Sequence, residues 1–181
     1  NYAFNEGNGD LLDLTSNNND GTPYNGVTQG VSGQVGDAYS FDGNDDKIKI
    51  LNDASLNPDD ITISLWLNVD QYRSSDGIII KGADSREYTI FFKPAGAINT
   101  DVTGVDFDNT GFPTNQWFNL VYTWDSNAGK FTCFYNGSFK SDTNISGTLD
   151  SSTADLGIGE WSYGNFDGTI DDLYIYSSAL S

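Results

Sequence analysis

Histidine is absent from the chain, and its absence removes several kinds of catalytic chemistry. Without it there is no Ser-His or Cys-His nucleophile pair and no ordinary zinc site. The single cysteine, Cys133, can form no disulfide within the chain. It lies between Phe131 and Tyr135 in an alternating apolar segment. We therefore expect a buried, unreactive thiol, because a reactive thiol needs an electropositive and partly exposed environment.

Positive charge is also scarce in this chain. Its 181 residues include 8 basic and 26 acidic side chains, which gives a net charge of −18. Such a charge repels nucleic acid and anionic membrane surfaces, so neither is expected as a partner. No run of 18 apolar residues is present, so no membrane insertion is expected. Methionine is missing too, and a chain that begins at Asn1 is expected to be part of a larger, multidomain protein.

Glutamate is rare among the acidic residues, since only Glu6, Glu87 and Glu160 are present. A β-sandwich glycosidase needs two carboxyl groups across the scissile bond, commonly presented as alternate glutamates on one strand. No predicted strand of this chain carries two glutamates. A polysaccharide lyase would more often use histidine, which is missing. We therefore expect a protein that is not an enzyme.

Short segments of alternating apolar and polar residues follow one another, separated by clusters of Gly, Asn, Asp and Ser. In the clearest segment, Ile61 to Val69, every second residue is aliphatic and one face is expected to be core. This period of two predicts an all-β fold, an antiparallel two-sheet β-sandwich with negligible helix. Further strands are predicted at residues 39–41, 47–51, 78–81, 88–93, 117–124, 130–135 and 169–176.

Asp-Gly and Asn-Gly pairs, which tolerate positive φ, predict tight turns of hairpins between the strands. A chain of this length can bury one core, and no internal repeat or linker is apparent. Residues 1–181 are therefore expected to form a single domain. The pairs begin at Asp20, Asn25, Asp42, Asp76, Asn136 and Asp167.

A series of motifs spans nearly the whole chain at residues 2–7, 16–22, 40–46, 56–58, 61–66, 117–123, 134–137, 156–159 and 166–176, followed by 179–181. In this order they resemble laminin-G-like (LamG-like) jelly-roll domains of the concanavalin A-like lectin/glucanase superfamily. The resemblance implies two curved antiparallel sheets, with the first and last strands side by side and ligands bound on one face or rim. It also implies a lectin-like recognition module within a larger extracellular protein, either secreted or on the cell surface.

The first loop is rich in oxygen-bearing side chains, among them Asp13, Asn17 and Asn19. Ca²⁺ takes six to eight oxygen ligands, so this loop could supply much of its shell. From spacing alone, turn capping is the simpler interpretation of these residues. The resemblance implies that Asp171 of the last strand joins them, and we predict a structural calcium site at these four positions. The acidic segment 42–46 is interpreted as a solvated turn.

Several aromatic residues fall in predicted loops. Trp161 and Tyr163 lie in the Gly-rich segment 159–168, Tyr72 and Arg73 lie in a second turn, and Arg86 lies in a third. Sugar rings stack on aromatic side chains, while guanidinium and carboxylate groups bind hydroxyls. We predict that these five residues bind a ligand. The alternative for a loop tryptophan is packing over the edge of the sandwich.

The leading hypothesis is a calcium-stabilised carbohydrate-binding module of an extracellular polysaccharide-active enzyme or surface protein. It is expected to act as a monomer within its multidomain chain and to bind a polysaccharide or other glycan, neutral rather than densely sulfated. A protein-protein adhesion domain or a structural spacer of a cell-surface protein is the alternative.

Overall fold

A computed structural model describes residues 1–73, 75–82, 87–93, 96–102, 105–149 and 151–180. These residues form fourteen strands and one short 3-10 helix, Ala54–Leu56. Among them there is no helix long and apolar enough to cross a membrane. The strands are β1 Gly21–Tyr24, β2 Thr28–Ser32, β3 Asp37–Asp42, β4 Lys47–Ile50, β5 Ile61–Val69, β6 Gly77–Lys81, β7 Tyr88–Lys93, β8 Ala97–Val102, β9 Val105–Asn109, β10 Trp117–Asp125, β11 Lys130–Tyr135, β12 Ser138–Asn144, β13 Leu156–Ile158 and β14 Asp167–Tyr176.

Two seven-stranded sheets make the sandwich. The first sheet has the order β1-β4-β13-β6-β7-β8-β9, and the second has the order β12-β11-β10-β5-β14-β3-β2. All strand pairs within them are antiparallel. The predicted all-β, two-sheet fold is therefore confirmed.

The core lies between the sheets and consists mainly of the inward-facing residues of the strands, while β2 and β12 have no buried residue. On β5 the aliphatic residues from Ile61 to Val69 are all buried, as their alternation predicts. Thr62, expected on the open face, is buried as well. Its hydroxyl donates to the carbonyl of Ser178 at 2.8 Å and accepts from the amide of Leu180 at 2.9 Å. The end of the chain therefore covers this position of the outer face.

The two ends of the chain meet, as the resemblance implies. The amide of Tyr2 donates to the carbonyl of Leu173 at 2.8 Å, and the amide of Leu173 donates back at 2.9 Å. Asn136-Gly137 forms a hairpin turn between β11 and β12, with φ of 48° and 73°. The Asp42-Gly43 turn differs from the predicted hairpin, because β3 and β4 belong to different sheets. It carries the chain across the sandwich.

The thiol of Cys133 is buried in the core, and burial raises its pKa to about 11. A thiol with such a pKa stays protonated at neutral pH, in agreement with the inert cysteine that its apolar surroundings predict.

A buried lysine at the end of β6 holds three segments together. Lys81 is 0% exposed, and its ammonium donates to Asn52 Oδ1 at 2.8 Å and to the carbonyls of Ala154 at 2.7 Å and Ser152 at 3.3 Å. The carboxylate of Glu87, also 0% exposed, lies 3.4 Å away. A buried ammonium is tolerated only when its donors and its charge are both matched. Lys81 therefore fixes the loops before β5 and β13.

We expect Lys81→Met to lower the free energy of unfolding by about 3–5 kcal/mol, because the variant removes one member of a buried ion pair together with its hydrogen bonds to Asn52, Ser152 and Ala154. The measurement is equilibrium unfolding in urea at neutral pH. Lys49→Met is the matched control, since that lysine pairs with Asp155 at the surface. We expect the control to cost less than about 1 kcal/mol. Equal losses in the two variants would contradict the role given to Lys81.

Candidate functional site

A tight turn follows β13 at the surface of the first sheet. The amide of Trp161 donates to the carbonyl of Gly164 at 3.0 Å, and the amide of Gly164 donates back to that of Trp161 at 3.3 Å. The amide of Gly77 also donates to the Gly164 carbonyl at 3.2 Å and fastens the turn to β6. A side chain at Gly77 would overlap the backbone of Glu160 and the Cβ of Trp161. Glycine is therefore required for this close approach.

The predicted pair Trp161 and Tyr163 lies together on this turn. The indole of Trp161 is half-buried and packs on Phe91 of β7, with ring centroids 4.1 Å apart and planes inclined by 56°. Tyr163 meets the indole edge-on at 5.3 Å and is 76% exposed. One part of the Trp161 ring packs on the sheet, as the packing interpretation predicts. The rest of the ring faces solvent, where the predicted ligand would bind.

A groove of about 260 Å³ lies beside the indole, lined by Ile80, Ala154, Asp155, Gly157, Glu160, Trp161 and Ser162. Gly157 of β13 is paired with Ile80 of β6 on one side and with Lys49 of β4 on the other. A Cβ at Gly157 would lie 3.1 Å from Glu160 Cγ. The missing side chain at Gly157 therefore leaves the floor of the groove open.

Two ion pairs border the groove. Lys47 and Lys49 stand on alternate positions of β4, and their ammonium groups lie 2.6 Å from Glu160 Oε2 and 3.0 Å from Asp155 Oδ2, respectively. The amide of Asn52 donates to Asp155 Oδ1 at 2.9 Å. The hydrogen bond from Lys49 is the main cause that lowers the pKa of Asp155. The groove therefore holds an ionised, oriented carboxylate at neutral pH.

Sequence reasoning missed these groove residues. The alternation of Lys47 and Lys49 shows only that both share one face of a strand. Their partners come from either end of β13, and the pairing of β13 with β4 brings them together. The one local signal is the position of Glu160 directly before Trp161.

Of the described residues that were predicted to bind a ligand, Trp161 lines this groove, and Tyr163, Tyr72 and Arg73 do not. The hydroxyl of Tyr72 donates to the carbonyl of Pro113 at 2.8 Å. The guanidinium of Arg73 lies 2.6 Å from Asp167 Oδ2 and so braces two loops. Both groups therefore have intramolecular partners, and their binding role stays a prediction. Arg86 lies outside the described residues.

The first loop places three of the four predicted calcium ligands together, because Asp13, Asn17 and Asn19 line one cavity of about 40 Å³. The Asp13 carboxylate accepts hydrogen bonds from the amides of Thr15 and Asn19, from the Thr15 hydroxyl and from the amino nitrogen of Asn1, at 2.8–3.1 Å. Burial opposes its ionisation, but these hydrogen bonds outweigh burial and hold the pKa of Asp13 below its ordinary value. The donors that surround this carboxylate are N–H and O–H groups.

Asp171, the fourth predicted ligand, has a different set of partners. It is fully buried on β14 opposite Trp66, and its Oδ2 accepts from the amides of Gln34 at 2.9 Å and Val35 at 2.8 Å. Burial raises the pKa of Asp171. No hydrogen bond among the described residues links it to Asp13. Its observed contacts hold the turn between β2 and β3.

The turn that crosses from β3 to β4 gathers three carboxylates. One oxygen each from Asp42, Asp45 and Asp46 lies within 4.8 Å of the others. Asp46 is 3% exposed, and its Oδ2 accepts from the amide of Asp42 at 3.0 Å. Burial, with the charges of the other two aspartates, raises the pKa of Asp46. In the part of the chain that the structure describes, this is the one group of three acidic or thiol side chains close enough to share a cation.

A family model of laminin-G type, described as the concanavalin A-like lectin/glucanases superfamily, matches residues 42–181. Comparison with curated protein sequences gave no match.

Solved structures with this fold cover most of the chain. Domain 4 of AbnA, a GH43 extracellular arabinanase from Geobacillus stearothermophilus solved with arabinotriose, shares 23% identity over 99% of this chain and 92% of its own, with a TM-score of 0.80. The binding domain of botulinum neurotoxin DC, solved with SialylT, shares 14% identity over 99% of this chain, with a TM-score of 0.78. This chain spans 47% of that neurotoxin domain. At these identities the likeness shows a shared fold.

The lowered pKa of Asp13 predicts how stability depends on pH. A carboxyl whose pKa is lower in the folded state stabilises the fold above its unfolded pKa, and this stabilisation is lost as the pH falls through the folded pKa. We expect Asp13→Asn, measured in a chelator, to lower the free energy of unfolding by about 1–3 kcal/mol at pH 7, because several hydrogen bonds to a charged group are weakened. The difference from wild type should shrink steadily below pH 4.

Urea unfolding between pH 7 and pH 3 measures this difference. Asp10→Asn is the control, because Asp10 is an exposed carboxylate on the same segment. A constant difference between Asp13→Asn and wild type across that range would contradict the prediction.

Proposed function

Because the chain belongs to the concanavalin A-like lectin/glucanases superfamily, we propose that it is a non-catalytic carbohydrate-binding module that holds a glycan in the groove beside Trp161. One observation carries the proposal: a half-buried indole, supported from behind by Phe91, borders a glycine floor with two lysine-paired carboxylates at its edge. A sugar ring can stack on the indole while its hydroxyls donate to the carboxylates.

The positions of the glutamates support a role without catalysis. Glu87 is buried beside Lys81, where a polysaccharide has no access to it. Glu160 reaches the groove, but its carboxylate accepts a hydrogen bond from Lys47 at 2.6 Å. A glycosidase needs one carboxyl group that donates a proton and a second carboxylate across the scissile bond. Asp155, the other carboxylate of the groove, pairs with Lys49, and this hydrogen bond lowers its pKa, so it is poorly suited to donate a proton.

The similar structures support the choice of ligand and setting. The arabinanase domain was solved with an oligosaccharide and belongs to an extracellular enzyme. We propose the same class of ligand for this chain and place it in a secreted or cell-surface protein, as one monomeric module beside a polysaccharide-active or adhesive partner domain.

We expect Trp161→Ala to weaken the binding of a polysaccharide that the wild type recognises by about tenfold or more. The reason is that an aromatic side chain on which a sugar stacks carries much of the binding free energy of a small site. Affinity electrophoresis in gels containing arabinan, galactan, xylan or β-glucan measures retention. Trp117→Ala, which removes a half-buried indole from β10 of the other sheet, is the matched control and should bind like wild type.

A second variant tests the groove without removing Trp161. Gly157→Val leaves Trp161 in place but fills the floor of the groove, and we expect it to lose retention as well. Retention by both variants at the wild-type level would contradict the groove as the binding site. If wild type is retained by no polysaccharide, the adhesion or spacer hypothesis takes its place.

We also propose that Ca²⁺ stabilises the fold through the first loop. Support comes from the shared cavity of Asp13, Asn17 and Asn19, whose carboxylate and amide oxygens are the ligand types that calcium prefers. Asp171, which the resemblance adds to this set, is assigned to it only as part of the proposal. The cluster of Asp42, Asp45 and Asp46 is a different place where a cation could act.

We expect Ca²⁺ at a hundredfold excess over its Kd to stabilise the protein by ~2.7 kcal/mol, and chelation to lower the melting temperature accordingly. Asp13→Ala and Asp171→Ala should each abolish this effect of the chelator. Asp45→Ala, at the acidic turn, is the control and should keep it. Loss of the effect only in the control would place the metal at that turn, and a wild-type melting temperature indifferent to chelator would exclude a stabilising calcium ion.

A further inference from the structure

The lining of the groove beside Trp161 has a single sign of charge. Asp155 and Glu160 contribute carboxylates to it, and the other five lining residues are uncharged. The paired lysines, Lys47 and Lys49, stand behind these carboxylates on β4 and do not line the groove. A ligand in the groove therefore meets hydrogen-bond acceptors that carry negative charge.

The described basic side chains interact with other residues of the chain. Every lysine and arginine that the structure describes has a partner within the chain: Lys47 with Glu160, Lys49 with Asp155, Arg73 with Asp167, Lys81 with Glu87, Lys93 with Asp108, Lys130 with Asp142, and Lys140 over the rings of Phe112 and Tyr135. Six of these seven described cations already pair with a carboxylate, so an anionic ligand that approached them would compete with that carboxylate for its counterion.

We infer that the groove selects uncharged sugar chains, and that the two ion pairs Lys47–Glu160 and Lys49–Asp155 set this selectivity. The inference rests on the proposed function. Each lysine fixes the direction of its carboxylate, so that the carboxylate accepts hydrogen bonds from neutral hydroxyls. A sugar that carries a carboxylate or sulfate brings like charge to the same oxygens and is repelled.

Chemically matched polymers test this selectivity. The probes are carboxymethyl and hydroxyethyl derivatives of whichever neutral polysaccharide retains the protein, at equal degrees of substitution. The hydroxyethyl group has similar bulk but no charge. At low ionic strength we expect the carboxymethyl polymer to bind at least about tenfold more weakly, and this difference should narrow in 0.5 M NaCl, because salt screens the repulsion.

Two double variants assign the effect to the groove. In Asp155→Asn/Glu160→Gln the lining loses both charges and Lys47 and Lys49 are freed, so we expect the preference for the hydroxyethyl polymer to be lost or reversed. Asp125→Asn/Asp142→Asn is the control, since it changes the net charge equally on the second sheet around Lys130. The control should keep the wild-type preference.

The outcomes separate the inference from the proposed function. Equal binding of the two derivatives by wild type at low salt, or a preference unchanged in the Asp155→Asn/Glu160→Gln variant, overturns the selectivity alone. Loss of the preference in both double variants assigns the repulsion to the net charge of the protein and also overturns it. If no neutral polysaccharide retains wild type, the proposed function and this inference fail together.

Discussion

The packing of the two sheets against each other is the constraint on which the rest of the structure depends. It takes the inward-facing residues of most strands for the core and leaves the outward positions and the loops at the strand ends for binding. On β13, the short strand between β4 and β6, the outward position is Gly157. The residues paired with it on the neighbouring strands are Lys49 and Ile80, which both carry side chains. Because Gly157 has none, a depression forms between them on the outer surface of the sheet.

The strands that alternation predicts best are the central ones. The bounds of β5, β7 and β11 agree with the predicted segments, because each carries a run of buried apolar residues at alternate positions, although β7 is buried on both faces. The strands β1, β2, β8, β9, β12 and β13 were not predicted. All except β13 lie at or next to a sheet edge, and β13 has only three residues. Neither β2 nor β12 has a buried residue, so hydrogen bonding to a neighbouring strand rather than burial defines them. Local composition carries little information about such pairing.

The residues of the candidate site also fall into those that local sequence predicts and those that only strand pairing brings together. Trp161 and Tyr163 could be found from sequence because an aromatic pair in a Gly-rich loop has no place in the period-two pattern. Asp155 and Lys49 could not, because strand register alone joins them. The intramolecular partner of Arg73 was also beyond local reasoning, and the binding role of this residue stays a prediction. The guanidinium of Arg73 can donate hydrogen bonds to a sugar hydroxyl. In the structure it lies beside the half-buried Asp167 and donates to that carboxylate instead.

Backbone hydrogen bonds fasten the groove to the first sheet. The amide of Gly159 donates to the carbonyl of Ile78 at 3.0 Å, and the amide of Phe166 donates to the carbonyl of Gly159 at 3.0 Å. The segments before and after the Trp161 turn are therefore fixed to the sheet. Lys81 holds the loop that enters β13 from the other side. Binding at such a site costs little ordering of the protein. One exposed ring and a few hydroxyl contacts that compete with water still yield a modest affinity, on the order of micromolar to millimolar. The glycan binding proposed for this groove gains retention on a polymer chiefly from the repetition of the ligand, which raises the effective concentration of binding positions near the protein.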